Sequence, residues 1–284
     1  MPDIGIVLSG GFAKCAYQVG VLRALHEFIG NATHQSHRLY ISASSMGAFN
    51  ACAYVKGRMK QAEKAWYNFN VASARPLLRS IGRPNYIPDL VDAFVGEGEL
   101  DIKTNLYVTC FNTTKVSLDY VNLKKVEPRK TKKYLRAGIA VPIFARTVEI
   151  AGNKYCDGAT VDNIPIKPLM KHHLDYIIVV HFDSDAYSFE NEYFDNKLIK
   201  INFMDDKVIK NSFAFDRGSI SYMFKTGYEH AKSIFEVIFE NGTDDLAYIY
   251  RQIAMFNSCQ SEKQLRITGD VVVNNINKIL KKII

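Results

Sequence analysis

The chain has 284 residues, 48% of them hydrophobic and 23% charged, enough for a full core in one large domain or two unequal ones. Its net charge of +7 suits an anionic partner such as a phospholipid surface, while the lack of any apolar run of about 18 residues excludes a spanning helix. Five scattered cysteines (Cys15, Cys52, Cys110, Cys156, Cys259), with no CxxC pair, argue for reduced thiols, against a zinc site and for no metal or other cofactor.

Met1, Pro2 and Asp3 lead straight into an apolar run with no charged leader, so the expected setting is cytoplasmic, at most peripheral at a membrane. Ile4 to Gly20 and Tyr40 to Asn50 each begin with strand character, break into a small-residue turn and open an amphipathic helix. Together they predict a βαβ unit, whose two turns fall at the same carboxyl edge of a parallel sheet. The first helix is expected over about Ala13 to Phe28, ending near Gly30 and Asn31; a polar loop then runs to His37. A helix follows Ser45 to about Val55, stopped by Gly57, and another spans Met59 to Asn70 with Trp66 and Phe69 inward.

Arg75 to Glu99, rich in Pro and Gly, reads as a loop-rich insertion with short helical turns, placed to act as a lid. Leu106 to Phe111 and Val116 to Val121 form two strands about the turn Asn112 to Lys115. Lys124 to Arg136 holds seven cations against one acid; it is a solvated helix face or a membrane-facing patch, and it lacks the aromatic interleaving of a single-strand binder, so no nucleic-acid partner is expected. Arg129 to Gly138 is helical, and Val148 to Ile150 pairs with Lys154 to Cys156 about Gly152 and Asn153, delivering Asp157 and Gly158. A short helix at Pro168 to His173, a buried strand at Tyr176 to Phe182, a strand near Leu198 to Phe203 and a helix from Gly218 to Phe239 follow, with further helices beyond Asn241 and Gly242.

Ala43-Ser44-Ser45-Met46-Gly47 approximates the nucleophile elbow G-x-S-x-G, in which the positions two before and two after the serine stay small because strand and helix nearly touch. A buried helix-capping serine is the alternative. Gly10-Gly11 presents amides at a helix start, with neither a dinucleotide fingerprint nor a P-loop, which favours an oxyanion hole over a phosphate cradle. The base stays open on residues alone: His181 and His230 stand where a triad partner is conceivable, and Asp157 is the alternative.

SGGFAKCAYQVGVL, ASSMGAFNA and RAGIAVPIFARTVEIAGNKYCDGATVDNIPIKPL resemble, in order, the three signature blocks of the patatin-like phospholipase family; the third contains its D-G-[GA] motif as Asp157-Gly158-Ala159. The likeness covers about residues 4 to 182. It implies an α/β, three-layer fold with a central, mostly parallel sheet flanked by helices, and a Ser-Asp dyad cleaving acyl esters of lipids without histidine or metal. By matching position, Ser45 is the nucleophile and Asp157 its base; Gly10, Gly11 and Phe12 form the oxyanion hole, with Lys14, Gly47 and Gly158 in support. The family's loop G-G-G-x-[RK]-G is altered here at Phe12 and Cys15, the latter read as a buried packing residue rather than a reactive thiol.

The implied activity is of phospholipase A or lysophospholipase type, on a phospholipid or other acyl ester met at a transient membrane surface. The alternatives are a non-catalytic lipid-binding module and an esterase on small soluble esters. A catalytic core over 1–205 with a helical C-terminal extension, 206–284, packed on it completes the expectation.

Overall fold

The computed structural model describes residues 2–30, 38–68, 86–142, 145–182, 196–203 and 216–259. The loop to His37, Phe69, the first part of the proposed lid, the 205/206 boundary and everything beyond 259 lie outside the described residues.

Eight described strands form one sheet. Four of them, β1 (Asp3–Leu8), β2 (Arg38–Ala43), β7 (Tyr176–His181) and β8 (Leu198–Asn202), run parallel in the order β2-β1-β7-β8. On the far side of β2, β3 (Asn105–Asn112) pairs parallel with β2 and antiparallel with β4 (Ser117–Asn122) and β6 (Asn153–Asp157); β5 (Val148–Ile150) closes a hairpin with β6.

The apolar runs are continuous because both faces of the parallel strands are covered, and the period of two sorts them. Ile4, Ile6 and Leu8 of β1, and Tyr176, Ile178 and Val180 of β7, face the larger core with helices α1 (Ala16–Ile29) and α2 (Met46–Val55). Val7, Ile177 and Val179 face a smaller one with Ile164, Leu169 and Leu174, around a 3₁₀ turn at Lys167–Leu169. That turn stands where a short helix was expected. The sheet flanked by helices is the anticipated α/β architecture.

Helix α3 (Met59–Asn68) buries Trp66, whose indole N–H donates to Asn50 Oδ1 at 3.0 Å. Within the stretch read as a loop-rich lid, Tyr86–Val95 is instead a regular helix, α4, with Leu90, Val91, Phe94 and Val95 in the core and Phe94 packed on Phe49 and Trp66. Pro88 is compatible with it because it falls in the first turn, where amide N–H groups lack intrahelical acceptors.

The hairpin turn sits one residue earlier than expected, on Ala151 and Gly152 at φ 50° and 76°, the two left-handed residues of a tight turn. Helix α5 (Pro128–Gly138) packs against β3 and β6. Helix α6 (Arg217–Ile238) crosses α1 so closely that a Cβ on Gly20 would stand 2.1 Å from Phe224 O, and one on Gly227 2.2 Å from Tyr17 O. Its Ile220, Met223, Phe224, Ile234 and Phe235 belong to the same core as β1. Residues 246–259 are helical and add Ile249 and Ile253 to that core. Among the described residues no helix is long and apolar enough to cross a membrane.

Candidate active site

Strand β3 acts as a ruler for the site. Along one of its edges β4 pairs from Tyr107 to Asn112, so β2 and β6 must share the other edge. There β2 ends with Ala43 opposite Val108, and β6, arriving from the opposite direction, ends with Asp157 opposite Cys110. Two residues of a strand span about 7 Å, so the ends meet head to head and the turn after β2 falls beside the last residue of β6. Thr109 lies between: its Oγ1 donates to Ala43 O at 3.4 Å, and its Cγ2 would stand 2.8 Å from a Cβ on Gly158, so a larger residue there would have to displace it.

The turn after β2 is strained in the way an elbow requires. Ser45 has φ 51° and ψ −132°, a conformation disfavoured for any residue with a Cβ. It persists because α2 is pressed onto the end of β1, where a Cβ on Gly47 would meet Ser9 O at 2.7 Å and Leu8 O at 2.8 Å. The Ser45 hydroxyl is among the groups that act on the Asp157 carboxylate, and both residues are buried, at 6% and 2% exposure. Burial raises the Asp157 pKa from 3.8 to about 6, against the lowering effects of the Ala159 amide, which donates to Oδ1 at 2.9 Å, and of Ser45.

Beyond β1 the chain passes through Gly10 and Gly11 into a 3₁₀ turn, Phe12–Cys15, before α1, so the expected helix start is three residues early. Gly10 lies against Ser45: a Cβ there would stand 2.9 Å from Ser45 Cβ. Its amide does not face the site freely, because it donates to Asn163 Oδ1 at 3.0 Å. Gly11 is wedged against Phe182, whose ring would come within 2.5 Å of a Cβ. Phe12 takes the left-handed backbone, φ 48°, that glycine would adopt without strain, and its half-buried ring packs on the larger core. The Lys14 ammonium lies 5.8 Å from the centroid of Phe182, its aromatic partner.

Cys15 is fully buried with Sγ 3.6 Å from Ser9 O, and burial drives its thiol far above the ordinary range, so it packs and does not react. His230 is engaged by the Tyr17 hydroxyl at 2.6 Å, and His181 is buried at the end of β7; neither is among the groups that act on Asp157. Among the described residues no three His, Cys, Asp or Glu side chains cluster to hold a metal ion.

Sequence reasoning missed the segment after Asp157. Ser44 Oγ donates to Asp162 O at 2.9 Å, the Tyr120 hydroxyl donates to Asp162 Oδ2 at 2.5 Å, and Asn163 grips Gly10. The available signal was a polar pair, Asp162-Asn163, set directly before the buried Ile164-Pro165.

Solved structures similar to this chain include VipD from Legionella pneumophila, which matches at 14% identity and a TM-score of 0.47, over 82% of this chain and 66% of that one. Human GIVD cytosolic phospholipase A2 matches at 9% and 0.45, over 89% and 60%. A chain of the ExoU–SpcU complex from the Pseudomonas aeruginosa type III secretion system matches at 15% and 0.37, over 98% and 64%. The chain thus spans less than two thirds of the length of each. The family description "Patatin-like phospholipase" matches residues 6–170, which is more than half of the chain and holds the end of β1, the Ser45 elbow and Asp157; the chain belongs to the patatin-like phospholipase family.

Proposed function

We propose that this chain is a lipid acyl hydrolase of phospholipase A or lysophospholipase type, working through Ser45 and Asp157. The observation that carries the reading is the head-to-head meeting of β2 and β6 on β3, which sets Ser45 on a strained elbow beside a buried carboxylate whose pKa is raised to about 6. A carboxylate of that basicity is ionised at neutral pH yet holds a proton far better than a solvated aspartate.

Asp157 takes the hydroxyl proton as Ser45 Oγ attacks the ester carbonyl. Negative charge moves to the carbonyl oxygen, where the loop between β1 and α1 presents its amides. Gly10 N–H is committed to Asn163, so the donor role begins with Gly11, with Phe12 next along the loop. Collapse expels the alcohol, which leaves with the proton from Asp157, and an acyl-serine remains. Water then attacks with Asp157 again as base, releasing the fatty acid and restoring Ser45. Gly47 and Gly158 serve by letting backbone approach backbone, and Lys14 steadies the loop through Phe182.

The +7 net charge supports contact with an anionic lipid surface as the way substrate is met. Lipid profiling of membranes treated with wild type or Ser45→Ala tests the substrate class: free fatty acid and the matching deacylated lipid should appear only with wild type. Greater turnover of monomeric than of micellar ester would move the assignment to a soluble-ester esterase. No Ser45-dependent product from any ester would move it to a lipid-binding module.

A further inference from the structure

Asn163 lies six residues past Asp157, half-buried, and takes no part in the scheme above. Its carboxamide meets both backbone groups of Gly10: Oδ1 accepts the Gly10 N–H at 3.0 Å and Nδ2 donates to the Gly10 carbonyl at 3.4 Å. Only a carboxamide places an acceptor and a donor side by side in one plane without titrating. A Cβ built on Gly10 falls within 3 Å of both Asn163 Oδ1 and Ser45 Cβ, so clamp, loop and nucleophile converge on one point. The clamp is itself anchored, since the neighbouring Asp162 accepts from Ser44 through its carbonyl and from Tyr120 through its carboxylate.

The Gly10 carbonyl and the Gly11 N–H belong to the same planar, trans peptide and point in opposite directions. Fixing the carbonyl therefore fixes the direction of the amide. The need for a pin is physical: a peptide between two glycines has no Cβ on either side to resist rotation of its plane. Resting on the reading of Ser45 and Asp157 given above, we infer that Asn163 is a positioning residue for the oxyanion loop, holding the Gly10–Gly11 peptide plane so that the Gly11 amide is aimed at the developing oxyanion.

The test compares wild type with Asn163→Ala and the isosteric Asn163→Asp on a p-nitrophenyl ester. It adds binding of a boronic acid that forms a tetrahedral serine adduct and of an uncleavable ether analogue of the ester. Asn163→Ala should lower kcat about 100-fold with KM changed by less than about threefold, and should weaken the boronic acid by the same factor as kcat/KM while leaving the ether untouched. Asn163→Asp keeps the acceptor for Gly10 N–H, loses the donor to its carbonyl and adds charge near Asp157. It should give a smaller loss of kcat and move the acid limb of the pH profile upward, which Asn163→Ala should not do.

Equal weakening of both ligands, or wild-type kcat in Asn163→Ala, would overturn the proposal. Hydrogen exchange at the Gly10 amide checks the clamp without any activity: it should speed up in Asn163→Ala, or in Asn163→Leu, which also removes the acceptor, if the alanine variant fails to fold. Unchanged exchange would refute the clamp. If wild type hydrolyses nothing while Gly10 exchange still depends on Asn163, the clamp stands as structure, the dyad reading falls, and with it the positioning role.

Discussion

In the proposed mechanism Asp157 sets the pH behaviour of both activity and stability. Its carboxyl must be ionised to accept the Ser45 proton, so kcat/KM should rise with pH along a single limb centred near 6. The stability effect has the opposite sign. Because the folded-state pKa is raised above its unfolded value of 3.8, this group's contribution is fully present below about pH 4 and is lost as pH rises through 6. Asp157→Asn should therefore abolish turnover while raising stability at neutral pH by up to about 3 kcal/mol, at roughly 1.4 kcal/mol per pKa unit, with a correspondingly higher melting temperature. The gain over wild type should vanish near pH 4. Phe12 offers a second separation. Phe12→Ala and Phe12→Gly lose the same ring from the core, but alanine keeps the strain of φ 48°. Urea unfolding should find Phe12→Ala the less stable by about 1 kcal/mol.

At the scale of elements, close contacts between backbones decide which substitutions the site tolerates. In an exposed helix, Gly→Ala would raise stability by about 1 kcal/mol. At Gly227 the new methyl would stand 2.2 Å from Tyr17 O, forcing α6 off α1, so Gly227→Ala should instead destabilise by about 1–3 kcal/mol or more in chemical denaturation. The strands and the turn position of Ser45 were legible because they are local: apolar runs end in small residues, and a helix pattern follows; Asp157, expected on the turn after its strand, is instead the last residue of β6. Helix α4 was not, because Pro and Gly around it imitate a loop while Leu90, Val91 and Phe94 find their partners elsewhere in the chain. Nor was the grip of Asn163 on Gly10, 153 residues away, since no local period marks a contact at that separation. The proposal of Asp157 rather than a histidine draws on the β3 register, which sequence alone does not supply.

Across the whole molecule, much of the densest cationic run is placed away from Ser45 or engaged within the protein. Lys124 and Lys125 follow the end of β4 that pairs with the start of β3, at the edge of the sheet opposite Ser45. Lys132 is buried against Asp92 and the Gly96 carbonyl, and Arg129 and Lys130 share Glu127. Lys124→Ala with Lys125→Ala should therefore leave hydrolysis of anionic vesicles within about twofold of wild type, as expected for solvated surface charges. The proposed chemistry is complete in side chains and backbone, so turnover of a soluble ester should persist in excess chelator. The central claim is that Ser45 is activated by Asp157 and by no histidine. It is tested most directly by the rate of fluorophosphonate labelling in wild type, Ser45→Ala, Asp157→Asn and His181→Ala at pH 7.5. The account predicts rapid labelling of wild type and His181→Ala, none of Ser45→Ala, and a loss of several orders of magnitude in Asp157→Asn with the fold intact. Labelling that survives Asp157→Asn, or that is lost in a folded His181→Ala, would contradict it.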